Sequence, residues 1–274
     1  MSTNRELYFR YKKEGIPDAV IYFALEEING VDYVSLTNQF DEQIKDETRF
    51  IEAMNRYSNG EMIEYIFNKA YFLSRPFYVD KNVLIPRQET EQLVIDSIRY
   101  IKELFKEQNI NIADVCTGSG AIGVSLADTF RESNVYLSDI SPEALNVAKR
   151  NGESLKNINY LEGDMLKPFI DKNIRLDVLV CNQPYIEDIT TIDKKTWEQE
   201  PHLALLAKPC TFFYEQILKD YSKVMNNKFI IAFEIGEDME EAMTSLIQKY
   251  LPNSRYLFKK DIYDRTRFAF IFDK

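Results

Sequence analysis

A short polar and aromatic segment follows the apolar run that Asp177 precedes, at residues 178–181, and its residue types suit binding of a planar amino group. The run is typical of a buried strand in a parallel sheet, and ligands of such sheets bind at the carboxyl ends of strands. Asn182 offers a neutral side-chain oxygen, and Pro184 favours an extended Gln183, whose backbone carbonyl can then face the same point. With Tyr185 to cover them, these two acceptors suit an –NH2 group. The simpler alternative is a turn that leaves a strand.

A glycine-rich loop at residues 114–123 follows one predicted strand and opens a predicted helix. Glycines there let the backbone approach a ligand closely, and the first turn of the helix supplies free N–H groups. Gly118, Gly120 and Gly123 also satisfy G-x-G-x-x-G, so a nicotinamide dinucleotide site is an alternative.

Two carboxylates follow the next two predicted strands. Asp139 ends the second strand, nineteen residues after Gly120, where a carboxylate can accept both ribose hydroxyls of an adenosine ligand. Its alternative role is to cap the helix that Ser141 opens. Asp164 could accept from an adenine amino group while Met165 packs on the ring, although a polar turn explains this pair as well.

The elements that must position these residues alternate from residue 111 onwards, which predicts an α/β, doubly wound, mostly parallel sheet. Strands are predicted at residues 112–116, 135–139, 158–161, 177–181 and 228–234, and helices at 121–131, 142–153, 212–225 and 238–250. Two last strands, at 256–259 and 267–272, have no helix between them and should form an antiparallel hairpin.

The first 70 residues predict several short helices. Pro17 and Gly30 bracket a helix at residues 18–29, and further helices are predicted at 42–57 and 61–68. Strands at 71–73 and 77–79, joined by a turn at 74–76, predict a β-hairpin. Thr90 is the predicted N-cap of an amphipathic helix at 91–106.

Composition limits the classes of function. A net charge of −10 makes a stable nucleic-acid partner unfavourable. The three cysteines are far apart, so we expect neither a disulfide framework nor a metal site. His202 is the only histidine, which disfavours a serine or cysteine nucleophile activated by histidine. Without an apolar run of membrane length or a signal-peptide core, we expect a cytoplasmic protein with no membrane partner.

The loop at residues 114–120, Asp139, Asp164 and the segment Asn182–Gln183–Pro184–Tyr185, in this order, resemble a class I S-adenosylmethionine-dependent methyltransferase. The last segment resembles the Asn-Pro-Pro-Tyr signature of enzymes that methylate planar amino groups. Residues 85–91, Ile-Pro-Arg-Gln-Glu-Thr-Glu, resemble the linker signature of the peptide chain release factor glutamine methyltransferases (the PrmC/HemK type). Glu200-Pro201 and the segments at 233–236 and 260–267 resemble further parts of that family.

The resemblance implies a small all-α N-terminal substrate-recognition domain (residues 1–70), a β-hairpin linker (71–88) and a seven-stranded methyltransferase domain (89–274). It implies S-adenosylmethionine as cofactor and the glutamine of the Gly-Gly-Gln motif of release factors as substrate, with the protein acting as a monomer. Carried over by position, the cofactor-binding residues would be Cys116, Thr117, Gly118, Ser119, Gly120, Asp139, Asp164, Met165 and Asn182. The glutamine would be held by Asn182, Gln183, Pro184 and Tyr185.

Three departures from the family pattern stand out. Gln183 replaces the first proline of the signature, which loosens the turn but keeps the carbonyl. Cys116 replaces the first glycine of the cofactor loop and is expected to be tolerated because it is small. The segment at 205–210 replaces a glycine-rich loop. The alternatives that remain are a ribosomal-protein glutamine methyltransferase, a nucleic-acid adenine-N6 methyltransferase and a non-catalytic protein that binds the cofactor.

Overall fold

The computed structural model describes residues 1–106 and 109–274. These residues form two compact units, Met1–Lys69 and Ala70–Lys274. In neither unit does the structure describe a helix long and apolar enough to cross a bilayer.

The first unit is all-α. Its helices are α1 (Asn4–Lys13), α2 (Asp18–Asn29), α3 (Tyr33–Asn38), α4 (Glu47–Ser58) and α5 (Ile63–Phe67). They enclose one apolar core around Leu25, Phe50 and Met54, each of which is fully buried.

Two helix boundaries of this unit test the sequence rules. The helix predicted at residues 18–29 is confirmed, with Gly30 at its C-terminus in the left-handed conformation. The helix predicted to begin at residue 42 begins at Glu47 instead. Its start is set by Asp46, whose side chain accepts the N–H of Arg49.

The second unit opens with the predicted β-hairpin, β1 (Ala70–Phe72) and β2 (Arg75–Phe77), which pair antiparallel. The turn lies one residue earlier than predicted, at Leu73 and Ser74, both with positive φ, as a two-residue hairpin turn requires. Helix α6 (Gln88–Phe105) follows. The prediction that Thr90 is its N-cap is wrong, because Thr90 lies inside the first turn and its hydroxyl donates to Glu234 instead.

A seven-stranded sheet with order β5-β4-β3-β6-β7-β9-β8 forms the centre of this unit. Its strands are β3 (Asn111–Val115), β4 (Asn134–Asp139), β5 (Ile158–Glu162), β6 (Leu176–Cys181), β7 (Met225–Glu234), β8 (Arg255–Lys260) and β9 (Thr266–Phe272). Strands β3 to β7 run parallel, and β8 and β9 add the predicted antiparallel hairpin. The predicted fold class is confirmed.

Helices cover both faces of the sheet. With α6, they are α7 (Ala121–Thr129), α8 (Pro142–Asn151), α9 (Lys167–Asp171), α11 (Phe212–Val224) and α12 (Glu240–Tyr250). A further short helix, α10 (Lys194–Gln199), contains no buried residue. In β6, Leu179 and Cys181 join the apolar core on one face, and Val178 and Val180 join the core on the other. Because both faces are buried, residues 178–181 of the strand form a continuous apolar run, and Asn182 follows them at the edge of the sheet.

Candidate active site

A cleft with about 1060 Å³ of empty volume, open to solvent, lies at the carboxyl ends of β3, β4 and β6. Most of the residues expected from the sequence to form the site line it: Cys116, Thr117, Gly118, Ser119, Asp139, Asp164, Met165, Asn182 and Pro184. Gly120 and the side chains of Gln183 and Tyr185 lie behind its wall. The strand ends therefore bring the residues predicted to bind the cofactor and those predicted to bind the glutamine into one cavity.

The glycine loop connects β3 to α7 and is held by backbone hydrogen bonds. Thr117 donates its N–H to the Ser138 carbonyl at 2.9 Å. Gly118, with φ of +53°, has open space where a side chain would be. Gly120 has a different role, because a Cβ there would lie 3.1 Å from the Cβ of Ala148 in α8. One glycine keeps the cleft open and the other lets α7 pack against α8.

Cys116 lies just past the end of β3, with φ of +60°. A left-handed backbone costs a residue with a side chain about 1 kcal/mol relative to glycine. Cysteine was expected to be tolerated here because it is small, but the positive φ shows that backbone conformation is what distinguishes glycine from cysteine at this position. The side chain packs against the core that contains Cys181 and borders the cleft.

Asp139 ends β4 with both carboxylate oxygens engaged by backbone donors. Oδ2 accepts the N–H of Gly118 at 2.9 Å, and Oδ1 accepts the N–H of Ser141 at 3.0 Å. Burial raises the pKa of this carboxyl, and the backbone N–H groups oppose that shift. Asp139 thus braces the glycine loop and the start of α8 while it faces the cleft, so the two alternative roles weighed for it are compatible.

Asp114, in the middle of the parallel sheet, is fully buried beneath the loop. Its Oδ2 accepts the hydroxyl of Thr117 at 2.6 Å and the N–H of Gly123 at 2.8 Å. Among the described residues, no group hydrogen-bonds its Oδ1. Burial raises the pKa of Asp114 to about 7. From the sequence, Asp114 was included in the glycine-rich loop, but no catalytic or binding role was predicted for it.

The amide of Asn182 is fixed by a threonine from α6. Its Nδ2 donates to Thr90 Oγ1 at 3.2 Å, and Thr90 in turn donates to Glu234 Oε2 at 2.7 Å. Asn182 and Thr90 both line the cleft, and Nδ2 is engaged by Thr90, which leaves Oδ1 as the atom of the amide that can accept from a ligand.

Gln183 and Tyr185 point away from the cleft. The Gln183 side chain is 1% exposed and its Nε2 donates to the Glu234 carbonyl at 3.4 Å. The Tyr185 hydroxyl donates to Glu234 Oε1 at 3.2 Å. The expectation that Tyr185 covers the acceptor oxygens is not met in this structure, where its ring packs against the core behind them.

Glu234, at the carboxyl end of β7, joins these groups and was missed as a functional residue. It is 4% exposed, and its backbone carbonyl also accepts the hydroxyl of Tyr214 at 2.7 Å. Burial raises its pKa, while Thr90, Arg267 and Tyr185 oppose the shift. The available signal was a lone carboxylate that ends a long apolar strand, where a charge must find partners.

A further buried carboxylate, Glu200, is bonded to residues 85 and 87, next to the cleft-lining Pro86 and Arg87. It accepts the N–H of Ile85 at 3.1 Å and forms an ion pair with Arg87 at 2.5 Å. Next to it the exposed ring of His202 stacks on Trp197 with ring centroids 3.5 Å apart. The histidine thus has a packing role on the surface, in line with the absence of any chemistry assigned to it.

The segment that departs from the family's glycine-rich loop is ordered against the site. Ile186 pairs with Leu206 in an isolated parallel bridge, donating its N–H to the Leu205 carbonyl at 3.1 Å. Leu205 and Ala207 are buried. The conformation of this segment is therefore stabilised by the burial of its apolar side chains.

The cleft fits the S-adenosylmethionine that the resemblance implies. It offers a carboxylate at the end of β4 for paired hydroxyls, an open glycine backbone, and apolar surface from Ile140, Ala144 and Met165 for a flat base. Within residues 1–106 and 109–274, no group of three or more His, Cys, Asp or Glu side chains is placed to hold a metal ion.

Comparison with known proteins finds methyltransferases. Residues 95–199 match the methyltransferase small domain family. The release factor glutamine methyltransferase of Bacillus anthracis is 35% identical over 228 residues, 82% of this chain and 81% of that protein. That of Mycoplasma mycoides subsp. mycoides SC is 33% identical over 258 residues, 91% of this chain and 90% of that protein. Among solved structures, human methyltransferase 10 domain containing protein shares the fold, with a TM-score of 0.52 at 16% identity over 72% of this chain and 88% of that one.

Proposed function

This chain belongs to the release factor glutamine methyltransferases, and from that premise we propose that it transfers a methyl group from S-adenosylmethionine to the side-chain nitrogen of a glutamine. The glutamine is that of the Gly-Gly-Gln motif in bacterial peptide chain release factors. The observation that carries the proposal is the amide of Asn182, which is tied back by Thr90 at the edge of the cleft that Asp139 and the glycine loop also line.

The cofactor half of the site is assigned to the glycine loop and the two carboxylates. Cys116, Thr117, Gly118, Ser119 and Gly120 lie on the methionine side, with Gly120 acting through the packing of the loop. Asp139 holds the ribose, and Asp164 and Met165 flank the adenine. The ends of β3, β4 and β6 line one cleft, which supports assigning the cofactor and the acceptor oxygen to neighbouring positions.

The acceptor half is assigned to Asn182, Gln183, Pro184 and Tyr185. Asn182 Oδ1 and the Gln183 carbonyl each accept one N–H of the substrate amide, Pro184 fixes the direction of that carbonyl, and Tyr185 supports the segment through Glu234. The two acceptors orient the nitrogen and favour the positive charge that develops on it.

When bound, S-adenosylmethionine supplies an activated methyl group on a sulfonium. An amide nitrogen is a weak nucleophile because its lone pair is delocalised, so the contribution of the protein is orientation, which is worth ~7–11 kcal/mol in well-aligned reactions. The motif provides acceptors and no strong base. The alkylated amide is acidic, and it releases its proton to solvent as the carbonyl resonance is restored.

The remaining assignments follow the same family. Residues 1–70 form the domain that recognises the release factor, residues 71–88 the linker and residues 89–274 the catalytic domain. The protein acts as a monomer in the cytoplasm, in translation termination, without a stable nucleic-acid partner, in keeping with its net charge of −10.

Methyl transfer from labelled S-adenosylmethionine tests the proposal. Purified release factor should accept label, and a release factor with Gln→Ala in the Gly-Gly-Gln motif should not. Asn182→Ala should lower kcat by about 10²- to 10³-fold, as loss of one preorganised hydrogen-bonding group does, and leave cofactor affinity near that of the wild type. Label in ribosomal protein or nucleic acid but not in release factor would assign the activity to another acceptor, and cofactor binding without any transfer would identify a binding protein.

A further inference from the structure

Three polar side chains from distant parts of the sequence form a chain of hydrogen bonds that runs from the wall of the cleft, which Asn182 and Thr90 line, to the buried Glu234. Asn182 ends β6, Thr90 lies in the first turn of α6 and Glu234 ends β7. Thr90 and Glu234 are each 4% exposed, so their hydrogen bonds are shielded from water and do not exchange freely with it. We call this chain the relay of Asn182, Thr90 and Glu234.

The direction of the relay follows from counting protons. A threonine hydroxyl has one proton to donate and lone pairs to accept. Thr90 Oγ1 lies 2.7 Å from Glu234 Oε2, and an ionised carboxylate only accepts. Thr90 must therefore give its proton to Glu234 and can only accept from Asn182, at 3.2 Å.

This direction decides which way the amide of Asn182 points. Only the –NH2 end of the amide can donate to Thr90, so Oδ1 must take the opposite position. A reversed amide would set Oδ1 against the lone pairs of Thr90 and present –NH2 to the cleft. Two donors would then face a substrate nitrogen that itself donates.

The surroundings of Glu234 support its role as an acceptor. Tyr185 donates to Oε1 at 3.2 Å, and the positive charge of Arg267 acts on the carboxylate. Arg267 is itself held by Asp261 at 3.4 Å and by the Ile235 carbonyl at 3.3 Å. Two oxygens of Glu234 thus receive two hydroxyl protons next to a fixed cation, which is an arrangement that suits a buried charge.

We propose that Thr90 and Glu234 are positioning residues that fix the amide of Asn182 with Oδ1 towards the substrate. This inference rests on the proposed function, since it assigns to these two residues the orientation of the acceptor atom. Neither residue needs to touch the glutamine. Their effect reaches the reaction through Asn182.

The sharpest test is a pair of substitutions at position 90. Thr90→Val keeps the shape of the side chain but neither donates nor accepts, so both orientations of the amide become available. We expect kcat to fall about 10- to 100-fold, with cofactor affinity and the KM for release factor within about twofold of wild type. Thr90→Ser retains the hydroxyl and should restore most of kcat. The matched control is Thr129→Val, which removes an exposed hydroxyl at the end of α7 and should leave kcat unchanged.

A merely structural role for Thr90 predicts a different pattern. Lower thermal stability, with kcat of the folded fraction equal to that of wild type, would overturn the inference, and so would a Thr90→Ser variant as slow as Thr90→Val. Glu234→Gln is a second variant, because its amide can donate to Thr90 and so reverse the relay. If it folds, kcat should fall at least as far as in Thr90→Val.

Neutron diffraction of the deuterated protein without substrate gives a readout that does not depend on the acceptor. Two deuterons on the Asn182 atom next to Thr90, and one on Thr90 directed to Glu234, are expected. Deuterons on the atom that faces the cleft would refute the inference even if release factor is methylated. Conversely, a map that shows the expected orientation in a wild-type protein that never methylates release factor would refute the substrate assignment and leave the relay in place.

Discussion

Asp114 offers a sensitive test of the buried electrostatics beneath the cofactor loop. Its carboxyl is fully buried, one oxygen is engaged by Thr117 and Gly123, and burial raises its pKa from 3.8 to about 7. The folded chain therefore binds this proton more tightly than the unfolded chain does. The corresponding stability is complete below pH ~4 and is lost as the pH rises through ~7.

The size of the effect follows from the two pKa values. Each unit of difference is worth ~1.4 kcal/mol, and between pH 5.5 and 8 the folded state should lose ~2 kcal/mol of stability through this one group. Asp114→Asn removes the titration but keeps an oxygen that accepts from Thr117 and Gly123. Its free energy of unfolding, relative to wild type, should therefore rise by ~2 kcal/mol across that range.

Urea unfolding of both proteins at several pH values from 5.5 to 8 measures this difference, and the lower limit stays above the isoelectric point of about 4.9. Asp171→Asn, which removes an exposed carboxyl at the end of α9, is the matched control, and its offset from wild type should stay constant. If the offset of Asp114→Asn is equally constant, the carboxyl is ionised at the same pH in both states. The assignment of a raised pKa would then be wrong.

Two further substitutions test separate parts of the site. Asp139→Asn keeps one acceptor but places an –NH2 against the N–H of either Gly118 or Ser141. Cofactor affinity, measured by calorimetry, should fall about 10- to 100-fold, which corresponds to the loss of one charge-assisted hydrogen bond. Unchanged affinity would show that Asp139 does not bind the ribose. Tyr185→Phe keeps the ring but deprives Glu234 Oε1 of a donor, and the free energy of unfolding should fall by about 1 kcal/mol; a variant as stable as wild type would show that this hydrogen bond contributes nothing.

Much of the fold could be predicted because burial leaves its pattern in the sequence. Strand β6 has an apolar core on each face, and its residues 178–181 are therefore a continuous apolar run. Helix α1 was missed although Leu7, Tyr8 and Tyr11 are buried at helical spacing, whereas another missed element, helix α10, carries no such pattern. Helix α10 contains no buried residue, and its start is stabilised by Asp193, which accepts from two backbone N–H groups. Local capping of this kind is hard to distinguish from an ordinary turn in the sequence.

The residues of the site could also be predicted from the sequence, but the orientations and hydrogen-bond partners of their side chains could not. Asn182 and Asp139 follow strands whose ends must meet at one edge of a parallel sheet. Thr90, by contrast, lies 92 residues from Asn182 and 144 from Glu234. Asn182 and Glu234 come close together because β6 pairs with β7, in a register where Cys181 lies opposite Phe233. That pairing belongs to the topology of the sheet, which a sequence motif does not record.

The relay also explains why position 182 carries an asparagine. The side chain there must donate to Thr90 on the buried side and accept on the cleft side. Aspartate offers only acceptors and would place a second charge near the buried Glu234, whereas an aliphatic side chain would leave the lone pairs of Thr90 without a donor, at a cost of about 1–3 kcal/mol. Asparagine is the shortest neutral side chain that both donates and accepts through a planar amide. The hydrogen bond to Thr90, which the buried carboxylate orients, requires a donor at position 182, and a substrate –NH2 requires an acceptor there. Asparagine meets both requirements.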